Sequence, residues 1–498
     1  MVSGVVFPFI AILPELPTRS HAMLSTILEI KTSCNFALRR GSMRLAVLGL
    51  ALSSLLHSAL AEDLPKYLAF QIYTATSDST IMREIFPPPP QDLRKVISDL
   101  RDRIDAEGTS GRRLGFFLGP LAFDNTDEQV RKLISSGFQT ALETGVAVGF
   151  HIDDSMFWGR LKELNTPRNI EWLDWNGELN TGRRLNWSPP NAIKIAPQLC
   201  LNSKEVQNAV KSRATLIGSE IAKGVQELRK AGKNDLFVGV IAGWETEIGK
   251  DFGTRRSLGY CALTNAGYSE KNPPRDTDAA LSQIVRDFIE TWVQALIAAG
   301  APSDKIYSHI ALASEKSPSS AFCDSCIPGT STYPFPGLLD EWHKELAQHG
   351  NPAWASCEGT ALDPRDAPQG GPGMSMEGYL GNLFNHGAVM VNIFGWGLGD
   401  KDYPFRRIAE SPDALAAYRK FLTGGQLAEA AVPGVIATLP AGLQDKIRKL
   451  QATFPEWLPK HGPAQVRSNV DRLEQALEDR RFDDAEKSVD ALLKTMGQ

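Results

Sequence analysis

The stretch Leu236-Phe-Val-Gly-Val-Ile-Ala-Gly-Trp-Glu-Thr-Glu-Ile-Gly249 carries the reading of the fold. It opens as an apolar run, Leu236 to Ile241, and closes on Gly243-Trp244-Glu245-Thr246-Glu247. A short run that is apolar on both faces is the pattern of a parallel strand covered on both sides. Just upstream, the spacing predicts a helix from about Lys204 to Ala231 that stops at Gly232. Glycine supplies the left-handed cap from which the chain turns into the next strand.

The same unit repeats on either side. Further apolar runs occur at Leu68–Tyr73, Leu114–Leu118, Val146–His151, Ile306–Leu312, Ala353–Cys357 and Val389–Phe394. One intervening helix carries Leu93, Val96, Ile97, Leu100 and Ile104 on one face and is expected to stop at Gly108. Another starts near Asp276, aligns Leu281, Ile284, Phe288, Trp292 and Leu296, and ends at Gly300 with Pro302 beyond. Alternating strands and helices of this size predict a parallel α/β fold, read here as a (β/α)8 TIM-type barrel over residues 62–422. Seven strands are evident, and the eighth is expected within 190–200 or 250–275. A doubly wound open sheet fits less well, because Gln71-Ile72-Tyr73-Thr74 after the first strand is no glycine-rich phosphate loop.

The flanks differ. Arg39, Arg40 and Arg44 lead into an apolar run from Leu45 to Leu56, followed by small residues at Ala59 and Ala61. That order predicts a secretory signal ending at residue 61, with Met43 as a natural start, and the run is short for a membrane span. The protein is therefore expected to be exported to the periplasm or beyond, with no stable membrane insertion afterwards. Residues 423–498 read as helices only, including one with Val466, Val470, Leu473 and Leu477 and another with Phe482, Ala485, Val489 and Leu492.

Without residues 1–61 the net charge is about −8 and no basic cluster remains, which argues against nucleic acid as a partner. Oligomeric state is not legible. Five cysteines remain: Cys200, Cys261, Cys323, Cys326 and Cys357. In an oxidising compartment Cys323–Cys326 is expected to close a small loop and Cys200–Cys261 to form a second bridge, leaving Cys357 as the odd thiol. A zinc site is the rival, but no second C-x-x-C occurs.

Barrels place their chemistry at the carboxyl ends of the strands. Here those ends carry His151-Ile152-Asp153-Asp154-Ser155-Met156-Phe157-Trp158, Gly243 to Gly249, Cys357-Glu358-Gly359 and Phe394-Gly395-Trp396-Gly397. Two carboxyl groups aimed into one mouth from different strands suit acetal hydrolysis, in which one protonates the leaving oxygen while the other attacks or activates water. Glu358 and either Glu245 or Glu247 are the candidate pair. Strand alternation would give Glu245 and Glu247 a common face, and Glu245 is favoured as nearer the strand. Asp153, Asp154, Trp158, Trp244, His309, Asn392, Trp396 and Tyr73 are candidate contacts to a carbohydrate substrate. Trp158, Trp172, Trp175 and Trp187 cluster in the long loop between Ser155 and Ala196, which is expected to shape the cleft. No cofactor and no metal is implied. Paired histidines at helical spacing, which a metal-dependent carbohydrate deacetylase needs, are missing: His343 and His349 do not share a helical face. A barrel that binds sugar without cleaving it is the other alternative.

On these residues the chain resembles the retaining glycoside hydrolases of clan A. The resemblance implies an acid/base glutamate after strand four, a nucleophile after strand seven and a tryptophan after strand eight. Glu245 or Glu247, Glu358 and Trp396 fall in that order. The clan's asparagine before the acid is replaced here by Trp244.

Overall fold

A computed structural model describes residues 65–74, 90–109, 111–184, 194–311, 318–333, 338–361, 373–430, 439–461, 466–478 and 481–497. The expected signal segment and Trp187 lie outside the described residues. Eight parallel strands form the barrel: β1 Lys66–Tyr73, β2 Arg112–Leu121, β3 Ala147–Ile152, β4 Phe237–Thr246, β5 Ile306–Ile310, β6 Gly329–Ser331, β7 Trp354–Gly359 and β8 Ala388–Ile393. β1 pairs in parallel with both β8 and β2, so the sheet closes on itself.

Among the described residues the longer helices outside the barrel are α1 Leu93–Ile104, α2 Asp127–Thr144, α3 Lys204–Lys230, α4 Thr277–Ala298, α5 Leu338–Gln348, α6 Met376–Phe384 and α7 Pro412–Leu422. Their caps follow the local sequence. Thr126 and Gln129 form a reciprocal capping box on α2, Ser203 caps α3, and Asp276 accepts from Ala279 N at the start of α4. α1 ends earlier than its glycine suggests. Asp105 is the left-handed cap, with φ 57°, and Gly108, with φ 117°, lies three residues beyond it.

The eighth strand lies in neither expected segment. It is β6, three residues long, set between β5 and β7. No helix separates β5 from β6 among the described residues; only a 3-10 turn, Pro318–Ala321, and the Cys323–Cys326 disulfide stand there. Gly329 is required at its start, because a Cβ there would strike Ser308 O and the Cys357 sulfur. The expected Cys200–Cys261 bridge is not formed: both are buried free thiols, as is Cys357.

The last three helices, α8 Ala441–His461, α9 Arg467–Glu478 and α10 Phe482–Thr495, bury a core of their own that includes Leu443, Ile447, Phe454, Leu473, Val489 and Leu492. No helix among the described residues is long and apolar enough to cross a membrane.

Candidate active site

Side chains alternate along each strand, so one set from each strand points toward the barrel axis. Near the carboxyl ends this set is polar. Gln71 of β1, His151 of β3, His309 of β5 and Asn392 of β8 are all buried. His151 Nδ1 lies 2.9 Å from Gln71 Oε1 and its Nε2 lies 3.0 Å from His309 Nδ1. Asn392 Nδ2 donates to Gln71 Oε1 and to Cys357 O, both at 2.9 Å. Burial lowers the basicity of both imidazoles, to about 3 for His309, so they stay neutral. His309 and Asn392 thus tie strands together inside the barrel.

Above this layer stand the carboxyl groups. β4 breaks its register with β5 between Ala242 and Thr246, and Glu245 has a φ of 53°. The expected alternation of Glu245 and Glu247 is lost at that irregularity, and the two side chains go to different partners. Glu245 Oε1 accepts from Ser331 Oγ at 2.7 Å. Glu247 Oε1 accepts from Arg183 Nη2 at 3.0 Å, in an ion pair whose side chains are only 6% and 12% exposed. Glu358, 1% exposed, accepts from the Tyr333 hydroxyl at 2.6 Å through Oε1. Ser331 is the residue that β6 pairs with Glu358 of β7. One short segment therefore hands a hydroxyl to each carboxyl, Ser331 to Glu245 and Tyr333 to Glu358.

Burial is the main reason why the Glu245 carboxyl is pushed up to about 7, and neighbouring Glu247 adds to it. Burial also raises Glu358, Glu245 raises it further, and the Tyr333 hydroxyl and Trp244 indole act the other way. Two buried carboxyls, one of them raised by the charge of the other, retain a proton between them near neutrality.

An aromatic collar surrounds the pair, built from Tyr73, Phe157, Trp244 and Phe394 with Tyr333, Tyr403 and Phe405 against them. Tyr73 and Phe394 meet edge to face at 5.8 Å. Trp244 stacks on His151 with ring centroids 4.0 Å apart. Trp396, by contrast, faces away from the mouth. It packs on Phe70, which also meets Tyr418 of α7, and the Arg103 guanidinium covers its ring at 4.5 Å. The turn at Gly395, with φ 104°, sends the chain outward, and Phe394 occupies the mouth position expected for Trp396.

The other sequence candidates are structural in their contacts. Trp158 is 2% exposed and donates to Pro197 O. Asp153 and Asp154 are fully buried. Asp153 Oδ1 gathers the backbone N–H groups of Ser155, Met156 and Phe157. Asp154 reaches Thr246 and Trp244. Trp172 donates to Pro167 O, and Trp175 packs on Tyr260. Among the described residues no group of three or more His, Cys, Asp or Glu is arranged to hold a metal ion. Ser331, Tyr333 and Arg183 were not singled out from sequence. The first two sit on or beside the strand that gave no apolar signal, and Arg183 lies in the long loop, where spacing says nothing of contacts.

No family profile matches the chain, and no characterised protein is similar to it in sequence. Among solved structures it is similar to a β-galactosidase from the psychrophilic Marinomonas ef1, with 10% identity over 72% of this chain and a TM-score of 0.44. The chain spans 59% of that protein's length. It is also similar to a Bacteroidetes-affiliated GH5 cellulase, with 12% identity, a TM-score of 0.37 and coverage of 73% of this chain and 92% of the cellulase. Likenesses this distant carry no functional argument; the barrel assignment rests on the closed ring of strand pairs.

Proposed function

We propose that the protein is a glycoside hydrolase in which Glu245 is the general acid/base and Glu358 the nucleophile. The observation that carries this reading is the convergence of two raised carboxyls, from β4 and β7, each steadied by a hydroxyl from the segment 331–333. In the first step the Glu358 carboxylate attacks the anomeric carbon. The glycosidic C–O bond breaks as Glu245 passes its proton to the leaving oxygen. In the second, Glu245 takes a proton from water, whose oxygen displaces Glu358 from the sugar. The net course is retention, which calls for carboxyls about 5–5.5 Å apart, whereas inversion leaves about 6.5–9.5 Å for a water molecule. The Ser331 hydroxyl, bound to Glu245 from the residue paired with Glu358, supports the shorter separation. Glu247 is assigned no chemical step, since its charge is committed to Arg183.

The collar of Tyr73, Phe394 and Tyr333 offers edges and faces to the apolar side of a sugar ring. Export is part of the same reading and is supported by the leader sequence; intact-mass analysis of secreted protein beginning at Glu62 would establish it. The functional test is hydrolysis of a panel of oligosaccharides and aryl glycosides by the wild type, Glu245→Gln and Glu358→Gln. Cleavage by the wild type, lost in both folded variants, is expected. Sugar binding without cleavage by the wild type would replace the enzyme with a carbohydrate-binding barrel. Anomer-resolved NMR of the first product separates retention from inversion.

A further inference from the structure

We infer that Asp154 is a positioning residue: a buried brace that holds the backbone of Glu245 in its left-handed conformation and so aims the acid. This rests on Glu245 being the acid. Glu245 is a non-glycine residue at φ 53°, a region such residues seldom adopt unless their surroundings enforce it. The enforcing contacts come from one side chain on the neighbouring strand end. Asp154 Oδ2 accepts from Thr246 Oγ1 at 2.6 Å, and Oδ1 takes the Trp244 backbone N–H at 3.4 Å. The residues on both sides of Glu245 are thereby pinned to one carboxylate. Ser155 Oγ donates to Oδ1 at 3.3 Å and keeps that carboxylate in place.

The turn leaves no room for a side chain at Gly243. Gly243 has φ 125°, and a Cβ there would collide with Thr246 Oγ1 and sit 3.8 Å from Asp154 Oδ2. Asp154 itself is fully buried, and both of its oxygens are engaged, by Thr246, Trp244 and Ser155. Burial raises its carboxyl, and the Thr246 hydroxyl and Trp244 N–H offset part of that rise. These are the bonds expected of a group whose work is to grip the backbone.

Three variants test the brace: Thr246→Val, which removes the gripped hydroxyl; Thr246→Ser, which keeps it; and Asp154→Asn. Each is assayed on two aryl glycosides of a sugar that the wild type cleaves, one with a dinitrophenyl leaving group and one with plain phenol. A misaimed acid slows the substrate that needs a proton. Thr246→Val and Asp154→Asn should lose about 10- to 100-fold in kcat on the phenyl glycoside and about threefold or less on the dinitrophenyl one. Thr246→Ser should behave as wild type on both. Equal losses on the two substrates, or no loss, would overturn the brace.

A wild type that cleaves nothing would overturn the acid reading, and the geometry is then decided by NMR titration of labelled glutamate. Glu245 should titrate near 7 in the wild type and Thr246→Ser, and return toward the ordinary carboxylate range in Thr246→Val. An unchanged titration in both Thr246→Val and Asp154→Asn refutes the brace on its own.

Discussion

Replacing Glu171 by glutamine should stabilise the protein in mildly alkaline solution and leave its stability nearly unchanged in acid. Glu171 lies in the long segment between β3 and α3 and is fully buried. Its Oε2 accepts from Cys261 N at 3.2 Å, while Oε1 has no hydrogen-bond partner among the described residues. Burial is the dominant influence and pushes the carboxyl from 4.5 to about 7, with the N–H groups of Ala262, Cys261 and Trp172 and the Cys200 thiol opposing it.

A carboxyl whose folded pKa exceeds its unfolded one binds its proton more tightly in the native state. Its contribution to stability is whole below the unfolded value and is lost as pH rises through the folded one. The loss is about 3 kcal/mol, from roughly 2.5 pKa units at about 1.4 kcal/mol each. Glutamine has the same shape and no proton to lose. Urea unfolding of the full chain near about pH 5 and about pH 8 should show a gain for Glu171→Gln of roughly 2–3 kcal/mol at the higher pH and under about 1 kcal/mol at the lower. An equal effect at both values would refute the reasoning, because it would mean that Glu171 is not a protonated buried acid in the native state.

Activity should fall on the alkaline side as pH passes about 7, where Glu245 loses its proton, and removing the nearby cation by Arg183→Met should move that limb to higher pH; a pH–rate profile with the limb unmoved would show that Arg183 does not influence the acid. Gly224→Ala in α3 should destabilise by about 1–3 kcal/mol despite a helix-propensity gain of roughly 1 kcal/mol, because the new Cβ would fall on the Phe138 ring; thermal unfolding at or above the wild-type midpoint would sink this.

The strands legible in sequence share one property: each is long enough, and apolar enough on both faces, to stand out from its helices. Phe237–Thr246 and Arg112–Leu121 run to ten residues, and both are covered by helices outside and packed side chains within. β6 fails on both counts. Gly-Thr-Ser is three residues, has no α-helix before it after β5 among the described residues, and fits through Gly329 lying against Ser308 O and Cys357. The gap is consequential, because Ser331 and Tyr333, which hold the two carboxyls, lie at that strand's end.

Side-chain direction past a strand end is not recorded in the strand pattern. Glu358 follows a register shift after Ser356, and the order of elements, not alternation, marks it as a candidate. Glu245 and Trp396 each follow a glycine in the left-handed region, Gly243 or Gly395. Nothing in the period of apolar residues records such a turn, so alternation predicted a shared face for Glu245 and Glu247, and the place of Trp396 after the last strand suggested a mouth position for it. The chain instead turns Trp396 onto Phe70 and separates the two glutamates. The same local departure that defeats the sequence pattern at Glu245 is what sets its carboxyl apart from the ion pair of its neighbour. A regular strand through residue 247 would have presented two equivalent glutamates to Arg183. The bulge leaves one of them paired with Arg183 and the other raised to about 7 beside Glu358, which is the asymmetry that acid catalysis at a glycosidic bond requires.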